Sequence, residues 1–166
     1  MRLRFALPAL ACALLLAFGL YLQYGQGLEP CPLCLVQRGF FVAVAAVCAV
    51  AALHGPGWRA SLVYGLLGAV FALGGAAVAA RQVWLQHLPA DKVPQCGPDL
   101  FFMLENFPLA RTLGTLFSGT GECAAVDWTF LRLSIAEWSL LCFAGLFLYS
   151  LWLAWPRRRV HSSASR

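Results

Sequence analysis

Residues 5–28 contain no Asp, Glu, Lys or Arg, and neither do residues 60–80. A helix rises 1.5 Å per residue, so an uncharged run of this length reaches across a hydrocarbon layer of about 30 Å. Four apolar segments of spanning length stand out, at about 5–22, 35–53, 60–84 and 138–155. Lipid offers the backbone no hydrogen-bond partners, so only helices or closed barrels cross it. The strict apolar–polar alternation of a barrel strand is absent from these segments. The expected fold is therefore an all-α membrane protein, a single four-transmembrane-helix bundle over residues 1–166. The chain is 61% hydrophobic and 11% charged, against roughly 25% charged in a soluble domain, which supports the same reading. The first segment has a basic start like that of a leader peptide, but its apolar stretch is longer than such leaders use, so it is expected to be kept as a span.

Charge orients the bundle. With the N-terminus inside, the inner segments hold Arg2, Arg4, Arg59, Arg157, Arg158, Arg159 and Arg166 and no acid. All seven acids fall on the outer face: Glu29, Asp91, Asp99, Glu105, Glu122, Asp127 and Glu137. This is the positive-inside pattern, and it predicts cytoplasmic N- and C-termini. The net charge of +5 is thus read as membrane anchoring, not as a nucleic-acid surface. Two outer loops follow, at about 23–34 and 85–137, with a tight inner turn at 54–59. A loop as long as the second is usually functional. Pro108 is expected to open a short helix through Phe117, with Leu109, Leu113, Leu116 and Phe117 on one face that could lie on the membrane.

The seven cysteines divide by location. Cys12, Cys48 and Cys142 lie inside apolar runs and are read as packing. Cys31, Cys34, Cys96 and Cys123 lie in or beside the outer loops. In a bacterium the outer compartment is oxidising, and disulfides persist there. Cys31-Pro32-Leu33-Cys34 is a Cys-x-x-Cys motif just ahead of the second helix, where the helix dipole favours a thiolate. Arg38 lies four residues after Cys34, on the same helical face. A lone Arg at the mouth of a membrane helix is costly, which points to a role in neutralising a thiolate or a reduced anionic acceptor rather than to simple snorkelling. Cys96 and Cys123 sit in turn-rich segments and admit three readings: a structural disulfide, half of a four-Cys zinc site, or a redox-active pair. The redox reading is preferred, because a second reactive pair lies on the same face; no metal is expected. Electrons exchanged between the two pairs must leave the protein. No haem attachment motif or dinucleotide fingerprint is present. An acceptor dissolved in the membrane, such as a quinone, meets the need.

Two motifs make the chain resemble the DsbB family of bacterial disulfide bond formation proteins. One is Glu-Pro-Cys-Pro-Leu-Cys-Leu-Val-Gln-Arg at residues 29–38, the other Gly-Glu-Cys-Ala-Ala-Val-Asp-Trp-Thr-Phe-Leu at 121–131. The resemblance extends over nearly the whole chain, in the order Cys-x-x-Cys, Arg, lone Cys, lone Cys. It implies a bacterial inner-membrane enzyme, a quinone-dependent thiol oxidase with its active cysteines facing the periplasm. By the same resemblance, Cys96 forms the mixed disulfide with a periplasmic DsbA-like thioredoxin-fold partner. Cys123 exchanges with Cys31, and Cys34 faces a ubiquinone or menaquinone beside Arg38. His87 matches a family position near the quinone. Two other readings compete. A non-catalytic four-span scaffold would keep Cys96 and Cys123 oxidised and inert. An enzyme resembling vitamin K epoxide reductase would carry its Cys-x-x-Cys near the end of a later helix, not ahead of the second.

Overall fold

The computed structural model describes residues 2–92, 108, 114, 121–126 and 128–155. Four long helices dominate it: α1 (Arg2–Gln26), α2 (Pro32–His54), α3 (Trp58–Gln86) and α4 (Ile135–Ala154). All four are long and apolar enough to cross a membrane. Their outward faces confirm the solvent they are built for. On α1, Leu3, Leu7, Leu10 and Leu14 recur at helical spacing and are each more than half exposed, which suits lipid and not water. The protein is a multi-pass, four-helix membrane bundle.

The helices extend past the apolar runs because their ends are built from local chemistry. Cys31 caps α2, its sulfur accepting from the Cys34 backbone N–H at 3.4 Å, and Pro32 follows at the first helical position. Proline belongs there, since that N–H has no helical partner to lose. At the other end Gly55 takes a left-handed φ of 64°, and its N–H closes on the Ala51 carbonyl. The start of α4 is a capping box, in which Ser134 Oγ accepts from the Glu137 N–H and Glu137 accepts from the Ser134 N–H. A two-stranded hairpin precedes that box, β1 (Thr129–Phe130) and β2 (Leu133–Ser134), turning through Leu131 and Arg132 at φ 52° and 67°.

Packing runs through α3, which lies against both α2 and α4, while α1 lies against α2. Lipid tails are as apolar as leucine, so close approach rather than water exclusion must join the helices. The small residues of α3 provide it. A methyl on Gly65 would come within 2.7 Å of the Ala154 backbone nitrogen, and one on Gly75 would overlap the Phe143 ring. Phe143 in turn stacks on Phe41 of α2, with ring centroids 4.0 Å apart.

Contact between α1 and α4 is sparse. They meet where Pro8 interrupts α1. Proline has no N–H to return to the carbonyl four residues back, and that Arg4 carbonyl instead accepts from Tyr149 Oη of α4 at 3.0 Å. Arg4 also lies over the Trp152 ring, and Arg2 reaches the Gly55 turn. Arg2 and Arg4 therefore meet Gly55, Tyr149 and Trp152 at one end of the bundle. Cys31, Cys123 and Ser134 occupy the other.

Candidate functional site

The site grows from the first turn of α2. Because Cys31 is the cap and Cys34 lies one turn inside, the two side chains are brought side by side, and their sulfurs sit 2.9 Å apart as thiols. The chain after the long loop then delivers Cys123. It sits in a 310 turn, Gly121–Ala124, fully buried against Leu33, Val78 and Leu85. Its thiol is in hydrogen-bond contact with Cys31. Cys123, distant in sequence, thus joins the Cys31–Cys34 pair in one cluster of three sulfurs.

That cluster sets the acidity of Cys31. Its hydrogen bond to Cys123, then its bond to Cys34, then burial all favour the protonated form, and they push its pKa well above the ordinary 9.0. Such a thiol exchanges only once its proton is taken, because the thiolate is both the attacking and the leaving form.

Beside the sulfurs opens a cavity of about 960 Å³. Its walls come from α1, α2, the end of α3, the hairpin and the start of α4. Leu15, Leu22, Phe41 and Trp138 make it apolar, and Cys31, Cys34 and Arg38 are its reactive face. A space of this size with few convergent polar groups is typical of a small-molecule site. Arg38 is half-buried. Its guanidinium crosses to α1, donating to the Gly19 carbonyl at 2.9 Å and to Gln23 Oε1, so a positive charge is fixed inside an apolar chamber. Trp128 rests edge-on against Phe18 of α1 and stacks on Phe130 of the hairpin. These aromatics form a wall of the same cavity.

The expected site residues fare as follows. Cys31, Cys34 and Cys123 come together, and Arg38 shares their cavity. His87 caps the end of α3; it is exposed, its ring nitrogen lies 2.8 Å from the Val83 carbonyl, and it is not among the residues lining the cavity. Cys96 lies outside the described residues, as does most of the helix expected over 108–117. Cys12 and Cys48 are buried in the apolar core as packing, while Cys142 both packs on that core and lines the cavity.

Sequence reading passed over three glutamines. Gln23 anchors Arg38, while Gln37 and Gln82 are buried together, Gln37 Nε2 donating to Gln82 Oε1 at 2.6 Å. The signal was available: an amide within a membrane-spanning helix is expensive unless it has a partner. Its partner, however, is set by tertiary packing.

Comparison with known proteins places the chain among its relatives. The family model for Disulfide bond formation protein DsbB matches residues 1–153. Disulfide bond formation protein B of Methylococcus capsulatus is 53% identical over 155 residues, covering 93% of this chain and 94% of that protein. The protein of the same name from Azoarcus is 54% identical over 147 residues, 89% of this chain and 88% of its own. Disulfide bond formation protein B 1 of Pseudomonas aeruginosa is 45% identical over 147 residues, 89% of this chain and 90% of its own.

Proposed function

We infer, from the premise that this chain belongs to the DsbB family of disulfide bond formation proteins, that it reoxidises a periplasmic DsbA-like thiol oxidase and passes the electrons to a membrane quinone. The observation that carries this reading is the contact of Cys123 with the Cys31–Cys34 pair at the wall of a cavity that also holds Arg38.

The steps balance as thiol–disulfide exchange. A Cys96–Cys123 disulfide takes two electrons from the partner's dithiol, through a mixed disulfide at Cys96, and leaves both loop cysteines reduced. The Cys123 thiolate then attacks Cys31 of an oxidised Cys31–Cys34 pair and expels Cys34 as thiolate. Cys96 resolves the Cys123–Cys31 bond, which restores the loop disulfide and leaves Cys31 and Cys34 as thiols. Cys31, Cys34 and Arg38 would hold a quinone in the cavity, and that quinone would supply the sink for two electrons and two protons. Cys31 and Cys34 close their bond as those electrons leave. Arg38 holds a positive charge where negative charge develops, in a setting that screens it little. The apolar walls and the single guanidinium fit a flat, apolar acceptor that becomes transiently anionic. His87, one residue beyond the cavity-lining Gln86, is proposed at the rim of that acceptor.

The same reading places the sulfur end in the periplasm and both termini in the cytoplasm of a bacterial inner membrane. What supports it is the gathering of Arg2, Arg4 and Arg59 away from the sulfurs and of Glu29, Glu122 and Glu137 near them.

The test is reduction of a soluble quinone by purified protein in detergent, supplied with a reduced DsbA-like protein. Cys31→Ser abolishes turnover on this reading. Normal turnover by that variant overturns the relay.

A further inference from the structure

Gln82 is 4% exposed in the membrane-spanning part of α3, and it faces the two sulfurs. Its Nε2 lies 3.4 Å from Cys31 Sγ and 3.3 Å from Cys34 Sγ. A side-chain amide has two N–H donors, and here each has one sulfur to meet. Its orientation is not arbitrary. Gln37 Nε2 donates to Gln82 Oε1 at 2.6 Å, which holds the carbonyl toward Gln37 and the NH2 group against both sulfurs; the Cys34 thiol also lies 3.6 Å from that carbonyl oxygen, farther than from Nε2. An amide left without partners at this depth would be strongly penalised. This one is satisfied only while the sulfurs stay where they are.

We propose that Gln82, held by Gln37, is a positioning residue that donates to both sulfurs of the Cys31–Cys34 pair and stabilises its reduced state. The proposal rests on the relay reading, since only a pair that cycles gains from it. Oxidation of the pair removes two protons and two electrons and forms one S–S bond, with the electrons and protons going to the quinone. The thiolate is the reactive form of each cysteine, and an N–H donor favours a thiolate over a thiol. A disulfide carries no charge for the amide to stabilise. Gln82 therefore does two things: it raises the thiolate fraction of the reduced pair and it makes the pair a stronger oxidant of the loop cysteines. Cys31, tied up by Cys123 and Cys34, gains an opposing influence from the same amide.

The test uses the full chain in detergent, equilibrated with glutathione redox buffers, with the Cys31–Cys34 state read by alkylation and peptide mass spectrometry. Gln82→Met keeps the volume and removes both donors. It shifts the equilibrium about tenfold toward the disulfide, equivalent to about 30 mV for two electrons. It also moves the pH profile of alkylation of the reduced pair to higher pH, by about tenfold in proton concentration. Gln37→Met, which frees the Gln82 amide to turn, shifts both readouts in the same direction and by less. A well-folded Gln82→Met with unchanged equilibrium and pH profile overturns the proposal. Should Gln82→Met fail to fold, an unchanged equilibrium in Gln37→Met overturns it instead. Because glutathione replaces both partner and quinone, this result stands apart from the relay. A wild-type protein that reduces no quinone defeats the relay alone.

Discussion

Cys31 is a helix cap, an exchange partner and a hydrogen-bonded thiol at once, and the last role has a measurable sign. Its pKa lies above the ordinary 9.0, first through Cys123 and then through Cys34 and burial, so the neutral thiol persists to higher pH than in an isolated cysteine. In the reduced protein, iodoacetamide is expected to alkylate Cys31 far more slowly than a peptide thiol at pH 8, with the rate rising only well above pH 9. Replacing Cys123 by Ala removes the largest cause and brings the rise to lower pH; an unmoved profile in Cys123→Ala contradicts the contact. At this scale the sequence was informative where chemistry is local. Cys34 and Arg38 lie four apart on one helix, so their shared face follows from helical period alone. Gln82 meets Cys34 from another helix, and nothing in the spacing of the chain announces that meeting.

Among the elements, the pairing of α3 with α4 depends on missing side chains. Gly75→Leu forces a branched chain into the volume of Phe143; overpacking of this kind costs about 1–3 kcal/mol. A lowered thermal midpoint in detergent checks it. Gly39, with open space where a methyl would go, is the contrasting site in α2: Gly39→Ala removes backbone freedom and should stabilise by up to about 1 kcal/mol. The four spans were readable because long apolar runs admit one solution in lipid. Their ends were less so. The expected start of the second helix at residue 35 falls one turn inside the observed start at Pro32, because a cysteine cap followed by proline carries no hydrophobic signal. The hairpin was invisible for a related reason. Its turn places Leu131 and Arg132 at positive φ, where Asn and Gly are the usual occupants. Arg132→Gly should relieve that strain and raise stability by roughly 1 kcal/mol, measurable in the same melts.

For the whole molecule, Arg2, Arg4 and Arg59 lie at the end of the bundle away from the sulfurs, and the topology proposed from them is one that labelling can test. In a background without other reactive cysteines, Lys92→Cys on intact spheroplasts should react with a membrane-impermeant maleimide. Gly57→Cys should react only after permeabilisation, and the reverse pattern refutes the proposed orientation. Overall architecture was legible because the bilayer leaves so few alternatives, whereas the cavity was not, since it arises from how helices lean. That lean has its own outcome. The chamber between α1, α2 and α4 is walled by apolar side chains such as Leu15, Leu22, Phe41 and Trp138, so on the proposed reading its acceptor arrives dissolved in the membrane. The amount of acceptor the site encounters is then set per unit area of membrane instead of per litre. Diluting the protein with extra lipid at constant total quinone should slow turnover even though nothing in the aqueous phase has changed.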